Sequence, residues 1–457
     1  MLEQFFNPQS VAIIGASHTP GKVGYAIVEN FVNNGYRGSV YPVNPNTESI
    51  MGLKVYASVK EIPEPVELAV VAVRADVVPS MLKQCAKQKI KNIIIVSGGF
   101  SESGTAGKKL EDECKKIIAK SKLRVIGPNC VGVYDSTTAV DTIFLSRSRL
   151  DRPTAGSISL VIQSGAVGSS LIDWLAERNI GISKFVSYGN GADVNEVDAL
   201  EYLADDEKTK VIVMYLEGIK SDGKKFVDVL KKITKKKPVI VLKAGKTDKG
   251  TQAVVSHTGS LAGSAKIYSG VFKQTGVIEA ANLQEVFDFA RAFQQPLPAG
   301  NKVAIITNGG GFGVLATDEC TIQGLQLPAP SKKNKNKLQK KFPAHVIISN
   351  PMDLTGDSTV DGYRTVIEEC MQSKEYDGII AIILFQVPTL RTEITDVVVE
   401  MSKKYNKPIL CCSVGGRFTK KIAAKIEAGN VPVYSTPEAA AKSFGAMVKY
   451  GEWLKKI

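Results

Sequence analysis

Short runs of Val, Ile and Leu recur along the chain, each closed by a glycine-bearing turn and followed by a stretch with apolar residues at every third or fourth position. That pattern predicts strand, turn and helix repeated in order, hence parallel sheets with helices on both faces. In the first part, strands are expected over 10–14, 38–43, 68–73, 92–96 and 124–126, with helices such as 24–33 and 78–89 between them. An open doubly wound sheet of this kind takes its ligand at the carboxyl ends of its strands. A second unit begins near Pro153, with strands over 158–162, 184–187, 211–216 and 239–242 and helices starting at Ser169, Glu196, Lys224 and Ser260. Gln295 to Gly300 reads as a linker, after which the order restarts.

The restart is an internal repeat. Ile162–Gly168 resembles Thr307–Gly313, 211–217 resembles 380–386, and Lys237–Ile240 resembles Lys407–Leu410. Glu217 in the earlier copy becomes Gln386 in the later one, and nothing there corresponds to the segment around His257. The expected domains are therefore 1–150, 151–296 and 297–457, the last keeping the scaffold without the histidine.

Composition narrows the class. With 44% apolar and 23% charged residues, the chain is an ordinary soluble globular protein rather than a disordered one. No apolar run reaches the length of a membrane span, and the start at Met1 lacks the basic region and cleavage site of a signal peptide, so the cytoplasm is the expected location. Seven cysteines without CxxC or zinc spacing read as reduced, buried thiols, and no metal-binding residues are assigned. The net charge of +13 is spread over helix faces and turns, including Lys332–Lys337, which argues for solvated surface and against a nucleic-acid stripe.

Chemistry concentrates at the glycine turns. Gly15-Ala16-Ser17, leading through Lys22, Val23 and Gly24 into a helix, offers free N–H groups to a phosphate. It is not a P-loop, since five residues separate Gly15 from Gly21-Lys22 and Val23 replaces the magnesium-binding hydroxyl. Nor is it a dinucleotide fingerprint: GxGxxG is absent, and the second strand ends in Tyr41-Pro42-Val43-Asn44 without a ribose-binding carboxylate. Lys22 suits a phosphate-rich nucleotide such as coenzyme A. Ser97-Gly98-Gly99-Phe100 and Gly127-Pro128-Asn129-Cys130 fall on the same side of the sheet, with Asn129 placed to bond an amide and Cys130 an inert packed thiol.

In the second unit, Ser164, Gly165 and Ala166 form another anion site at a helix start, and Thr258 and Gly259 after His257 supply a third. His257 is one of only three histidines, and the glycines between Lys243 and His257 suggest a mobile connection. A nucleophilic histidine needs an acceptor on its second nitrogen, and Glu217, at the end of a neighbouring strand, is the candidate.

These residues together resemble the alpha subunits of archaeal ADP-forming acetyl-CoA synthetases, within the NDP-forming acyl-CoA synthetase family that includes succinyl-CoA synthetase. The likeness covers essentially the whole chain and rests most specifically on Ser256-His257-Thr258-Gly259-Ser260 with Ser164-Gly165-Ala166 and Glu217. It implies an α/β fold: an N-terminal Rossmann-like CoA-binding domain followed by two flavodoxin-like doubly wound ligase domains. It also implies formation of carboxylate, CoA and ATP from acyl-CoA, phosphate and ADP, through an acyl phosphate and a phosphohistidine at His257. Coenzyme A is assigned to Gly15, Ala16, Ser17, Lys22, Val23, Gly24, Pro42, Asn44, Val73, Ser97, Gly98, Phe100 and Asn129. No ATP-grasp module is found, so a separate ATP-grasp beta subunit carrying ADP/ATP and Mg is expected, in an α2β2 assembly without nucleic acid or membrane. The alternative is a non-catalytic CoA-binding regulatory or scaffold protein, against which the intact set Ser164, Glu217 and His257 argues.

Overall fold

Strand β1 (Ser10–Ile14) is buried along its whole length and pairs in parallel with β2 (Ser39–Val43). A short hairpin, β3 (Ser49–Ile50) and β4 (Leu53–Lys54), follows. With β5 (Leu68–Val71), β6 (Asn92–Ile95) and β7 (Arg124–Ile126) the first two strands form a parallel sheet ordered β2-β1-β5-β6-β7. The computed structural model describes residues 2–258 and 263–457, with only the backbone for 255–258.

β8 (Gly132–Asp135) is an unexpected strand. Together with β9 (Ala155–Ile162), β10 (Ile182–Ser187), β11 (Val211–Leu216), β12 (Val239–Lys243) and β13 (Ile278–Glu279) it builds a second sheet, ordered β13-β12-β11-β9-β10-β8. Only β8 runs antiparallel, against β10. The third sheet, β15-β14-β16-β17-β18, comprises β14 (Val303–Thr307), β15 (Met352–Asp353), β16 (Gly378–Ile382), β17 (Ile409–Cys412) and β18 (Val433–Tyr434). Apart from the hairpin and the antiparallel edge, each sheet arranges its parallel strands second, first, third, fourth, fifth. Such an order reverses direction between the first and third strands, and that switch point opens a crevice at their carboxyl ends.

The chain divides into two compact units, Met1–Glu279 and Ala280–Ile457. In the first unit both sheets share one core: Val11, Ile13, Val70, Ile94 and Ile126 of the first cluster with Val161, Val186, Ile212, Met214 and Val241 of the second. Each such side chain, fully buried, contributes about 1.5–3 kcal/mol of hydrophobic free energy. The N-terminal turn joins in, since Phe6 stacks on Tyr202 at 5.1 Å between ring centroids.

In the second unit, Arg291 on helix Leu283–Ala292 is buried and bonds Asp288 at 2.9 Å, Glu427 at 2.6 Å and the Val433 carbonyl at 3.0 Å. At the switch point of the third sheet Leu384 closes over Gly309. Asn308 and Leu384 exchange hydrogen bonds at 2.8 and 3.2 Å, and a Cβ on Gly309 would lie 2.5 Å from the Leu384 side chain. Gln386 donates to the Val414 carbonyl at 2.8 Å. Lys332–Gln339, with its run of lysines, forms a surface helix begun by Ser331. Among the described residues no helix is long and apolar enough to cross a membrane.

Two helix starts differ from expectation. The helix after β9 already begins at Gly165 rather than Ser169, because Ser164 stays extended and its carbonyl takes the Gly168 N–H at 3.0 Å. The stretch before His257 is not an open loop: Asp248–Thr258 is helical. Thr247 Oγ1 accepts the Gly250 N–H at 3.1 Å, the Thr247 carbonyl accepts from Thr251, and neither Gly nor Pro interrupts the turns that follow. The next helix runs Ala265–Thr275 and so starts beyond Ser260.

Candidate functional site

The switch point of the second sheet opens on a cavity of about 490 Å³. Ser164, Gly165, Ala166 and Glu217 line it from the second sheet, and Val23, Val73, Ser97, Gly98 and Asn129 from the first. Both sheets thus deliver their carboxyl ends to one space. Their loops lock together at Gly189, which has φ +55°; a Cβ there would lie 2.4 Å from the carbonyl oxygens of both Pro128 and Asn129, so only glycine allows the approach. Ser164 does not spend its side chain on capping the helix it precedes, which leaves its hydroxyl beside the free N–H groups of the first turn.

The other residues assigned to the nucleotide do not line this cavity. Gly15 follows β1 at φ +90°, and a Cβ on Gly24 would lie 2.0 Å from the Gly15 carbonyl, so the turn sits directly on the start of helix Val23–Asn33. Asn44 fixes that turn by donating to the Ala16 carbonyl at 2.7 Å, and Ser17 Oγ accepts from Thr19 at 3.1 Å. Lys22 is exposed immediately before the helix, whereas the Pro42 side chain is buried.

Phe100 departs from its assigned role. Its side chain is fully buried in the apolar core, and its N–H and that of Gly99 both donate to Glu102 Oε1, at 3.0 and 2.6 Å. An internal carboxylate takes the amides that the sequence pattern aims at a ligand. Burial opposes ionisation of Glu102, but hydrogen bonds from Asn190, Phe100 and Gly99 outweigh it and hold the carboxyl below its usual range. Cys130 lines the cavity only as packing: burial pushes its thiol up to about 12, and it donates to the Ile95 carbonyl at 3.3 Å.

Glu217 is buried, 3% exposed, at the head of a segment held on three sides. Gln163 Oε1 accepts the N–H groups of Glu217 and Gly218 at 2.8 and 3.1 Å, and Tyr268 Oη accepts that of Ile219 at 3.2 Å. Glu196 Oε1 takes those of Lys220 and Ser221, both at 2.9 Å. Beneath it, buried Lys243 donates to the Glu217 carbonyl at 2.8 Å, with its ammonium 4.7 Å from the Tyr268 ring centre.

Burial depresses the Lys243 pKa from 10.5 to about 8, against the pull of Glu217 and with a push from Lys246. The unfolded chain therefore holds this proton more tightly, and folding stability from this residue rises as pH climbs from about 8 to 10.5, levelling off at its low value below 8 and at its high value above 10.5. Thermal unfolding of wild type and Lys243→Met across that window is expected to show wild type gaining on the variant by several degrees as pH increases. A pH-independent difference would contradict it.

Asn190 and Lys220 also line the cavity and escape a reading of the sequence. Asn190 is buried and donates to Ser101 at 3.1 Å, Glu102 at 2.7 Å and Glu111 at 2.9 Å, while its Oδ1 receives Asn129 at 3.3 Å. The available signal was its glycine-flanked place in Tyr188-Gly189-Asn190-Gly191 at a strand end. His257 belongs to the last turn of Asp248–Thr258, the helix after β12, whose neighbour β11 leads to Glu217. The side chains of His257 and Thr258, and all of Gly259, lie outside the described residues. No group of three or more His, Cys, Asp or Glu among the described residues is arranged to hold a metal.

Comparison with known proteins agrees with this layout. Residues 9–136 match the CoA binding domain, 155–293 the succinyl-CoA ligase like flavodoxin domain and 303–454 the ligase-CoA domain. The alpha subunit of acetate–CoA ligase (ADP-forming) II from Pyrococcus furiosus is 41% identical over 455 residues, covering 98% of each chain. The alpha subunit of form I from the same organism is 41% identical over 466 residues, covering 100% of this chain and 99% of that one. The solved dinucleotide-forming acetyl-coenzyme A synthetase 1 of Candidatus Korarchaeum cryptofilum, in complex with phosphate and ADP, matches with a TM-score of 0.94 and 33% identity, covering 100% of this chain and 98% of that one. Likeness at this level along the full length places the chain in the family of ADP-forming acetate–CoA ligase alpha subunits.

Proposed function

We propose that this subunit converts acyl-CoA and phosphate to an acyl phosphate and then carries the phosphoryl group on His257 towards ADP. The observation that supports it most is the single cavity into which Asn129 and Ser97 of the CoA-binding part and Ser164, Gly165, Ala166 and Glu217 of the ligase part all project. In the first step a phosphate oxygen attacks the thioester carbonyl carbon; the C–S bond breaks and the CoA sulfur takes up a proton. The amides at Gly165 and Ala166 and the Ser164 hydroxyl hold the anion. In the second step a neutral imidazole nitrogen of His257 attacks phosphorus, the P–O bond to the acyl group breaks and the carboxylate leaves. Glu217 accepts from the other ring nitrogen and stabilises the cationic ring. Thr258 and Gly259 assist at the phosphoryl group. Finally ADP attacks phosphorus, the P–N bond breaks and ATP forms.

Residues 1–150 take the CoA role, 151–296 the phosphohistidine role, and 297–457 a supporting one. Gly15, Ala16, Ser17, Lys22 and Gly24 form the polyphosphate end of the CoA site, with Asn44 bracing the turn. The nucleotide and its magnesium belong to an ATP-grasp beta subunit, in an α2β2 assembly in the cytoplasm, and acetate is the carboxylate. A non-catalytic scaffold has no use for a buried carboxylate fixed at the rim of an anion site. Co-purification with an ATP-grasp partner is expected to yield ATP from acetyl-CoA, phosphate and ADP, whereas this chain alone releases CoA without forming ATP. ATP formation by neither preparation would refute the reading.

A further inference from the structure

Phosphate and acyl phosphate are anions, yet the cavity that receives them also holds the Glu217 carboxylate. Among the described residues lining it, Lys220 is the one cationic side chain. Its backbone is as firmly placed as that of Glu217: Glu196 Oε1 accepts its N–H at 2.9 Å and, at the same atom, the N–H and hydroxyl of Ser221 at 2.9 and 2.7 Å. The aliphatic stem runs over Gly191, where a Cβ would come within 3.1 Å of Lys220 Cγ; the glycine, at φ +64°, leaves that channel open. Burial lowers the pKa of half-buried Lys220, the fields of Glu111, Glu196 and Glu217 oppose that shift, and Lys115 adds to it. A cation on a rigid segment, three residues from Glu217 and lining the same cavity as Gly165 and Ala166, is preorganised for a small oxyanion.

We propose that Lys220 binds the attacking phosphate and keeps hold of the same phosphoryl oxygens in the acyl phosphate, offsetting the charge of Glu217. Ser164 and the helix amides then hold one side of the anion and Lys220 the other. This inference rests on the reaction proposed above, and it assigns Lys220 to phosphate, not to CoA.

The test uses the complex with its ATP-grasp partner and inorganic phosphate as the varied substrate. Lys220→Gln is expected to raise KM for phosphate by about 10- to 100-fold, the worth of one charge-assisted hydrogen bond. KM for acetyl-CoA and the melting temperature are expected to stay close to wild type, and Lys220→Arg to recover most of the phosphate affinity. Lys220→Met, which keeps the stem over Gly191, replaces the glutamine variant if that one does not fold. A purely structural lysine would lower the melting temperature and leave KM for phosphate alone. Unchanged KM for phosphate in an active, folded variant overturns the role of Lys220 only; a wild-type complex that cannot make acetyl phosphate from acetyl-CoA and phosphate overturns both this and the reaction it rests on.

Discussion

His257→Asn is expected to lower ATP formation by the assembled enzyme by about 10⁴-fold or more, because asparagine keeps a polar amide of similar reach but offers no nucleophilic nitrogen. Binding of CoA is expected to be unaffected. The Gly15 turn, Ser97 and Asn129 follow strands of the first sheet and are held by bonds from Asn44 to the Ala16 carbonyl, from Ser97 Oγ to the Val73 carbonyl and from Asn129 to Asn190 Oδ1, none of which involves a residue of the helix that carries residue 257. Release of CoA from acetyl-CoA and phosphate is expected to persist in the variant, since that step precedes the histidine. Calorimetric titration with CoA and a coupled ATP assay separate the two effects, and turnover near wild type would remove His257 from the reaction.

Glu217→Gln is expected to slow phosphoryl transfer by about 10- to 100-fold, the usual cost of removing the partner that orients a reactive histidine. The substitution keeps the shape of the side chain. It also preserves the backbone bonds to Gln163 and Lys243, so the segment from 217 to 221 holds its course. What is lost is negative charge at a buried point, and with it the preference for the cationic phosphorylated ring. Rapid-quench measurement of phosphoenzyme formation from acetyl phosphate reads this step directly, and circular dichroism checks the fold. Equal rates in wild type and variant would assign Glu217 a structural role. The second unit supplies a natural comparison: Gln386 follows a strand in the matching place, donates to the Val414 carbonyl, and Leu384 occupies the space over Gly309.

The sheets were legible because their strands are short runs rich in buried Val, Ile and Leu, as in Val211–Leu216 and Val239–Lys243. Gly132–Asp135 was not, being short, mixed in character and paired antiparallel with residues some fifty positions away. Gly245 and Gly250 suggested an open connection before His257, yet the cap from Thr247 starts a helix there; a single side-chain hydrogen bond outweighs the glycine signal. That Ser164–Ala166 and Glu217 come to one place could be read from strand ends alone. Asn190 and Lys220 could not, since what brings them to the cavity is tertiary: Asn190 meets Asn129 across 61 residues of chain, and Lys220 is set by Glu196 on helix Glu196–Asp205. Phe100 shows the opposite error. A glycine turn at a strand end looked like a ligand cradle, but Glu102 already satisfies its amides.

The central claim is a phosphoryl group carried by His257. Incubating the chain with acetyl-CoA and radiolabelled phosphate, then digesting at alkaline pH where phosphohistidine survives, locates the label. The account predicts one labelled peptide containing His257, with no label in the His257→Asn protein; label retained in that variant, or found on another residue, would contradict it.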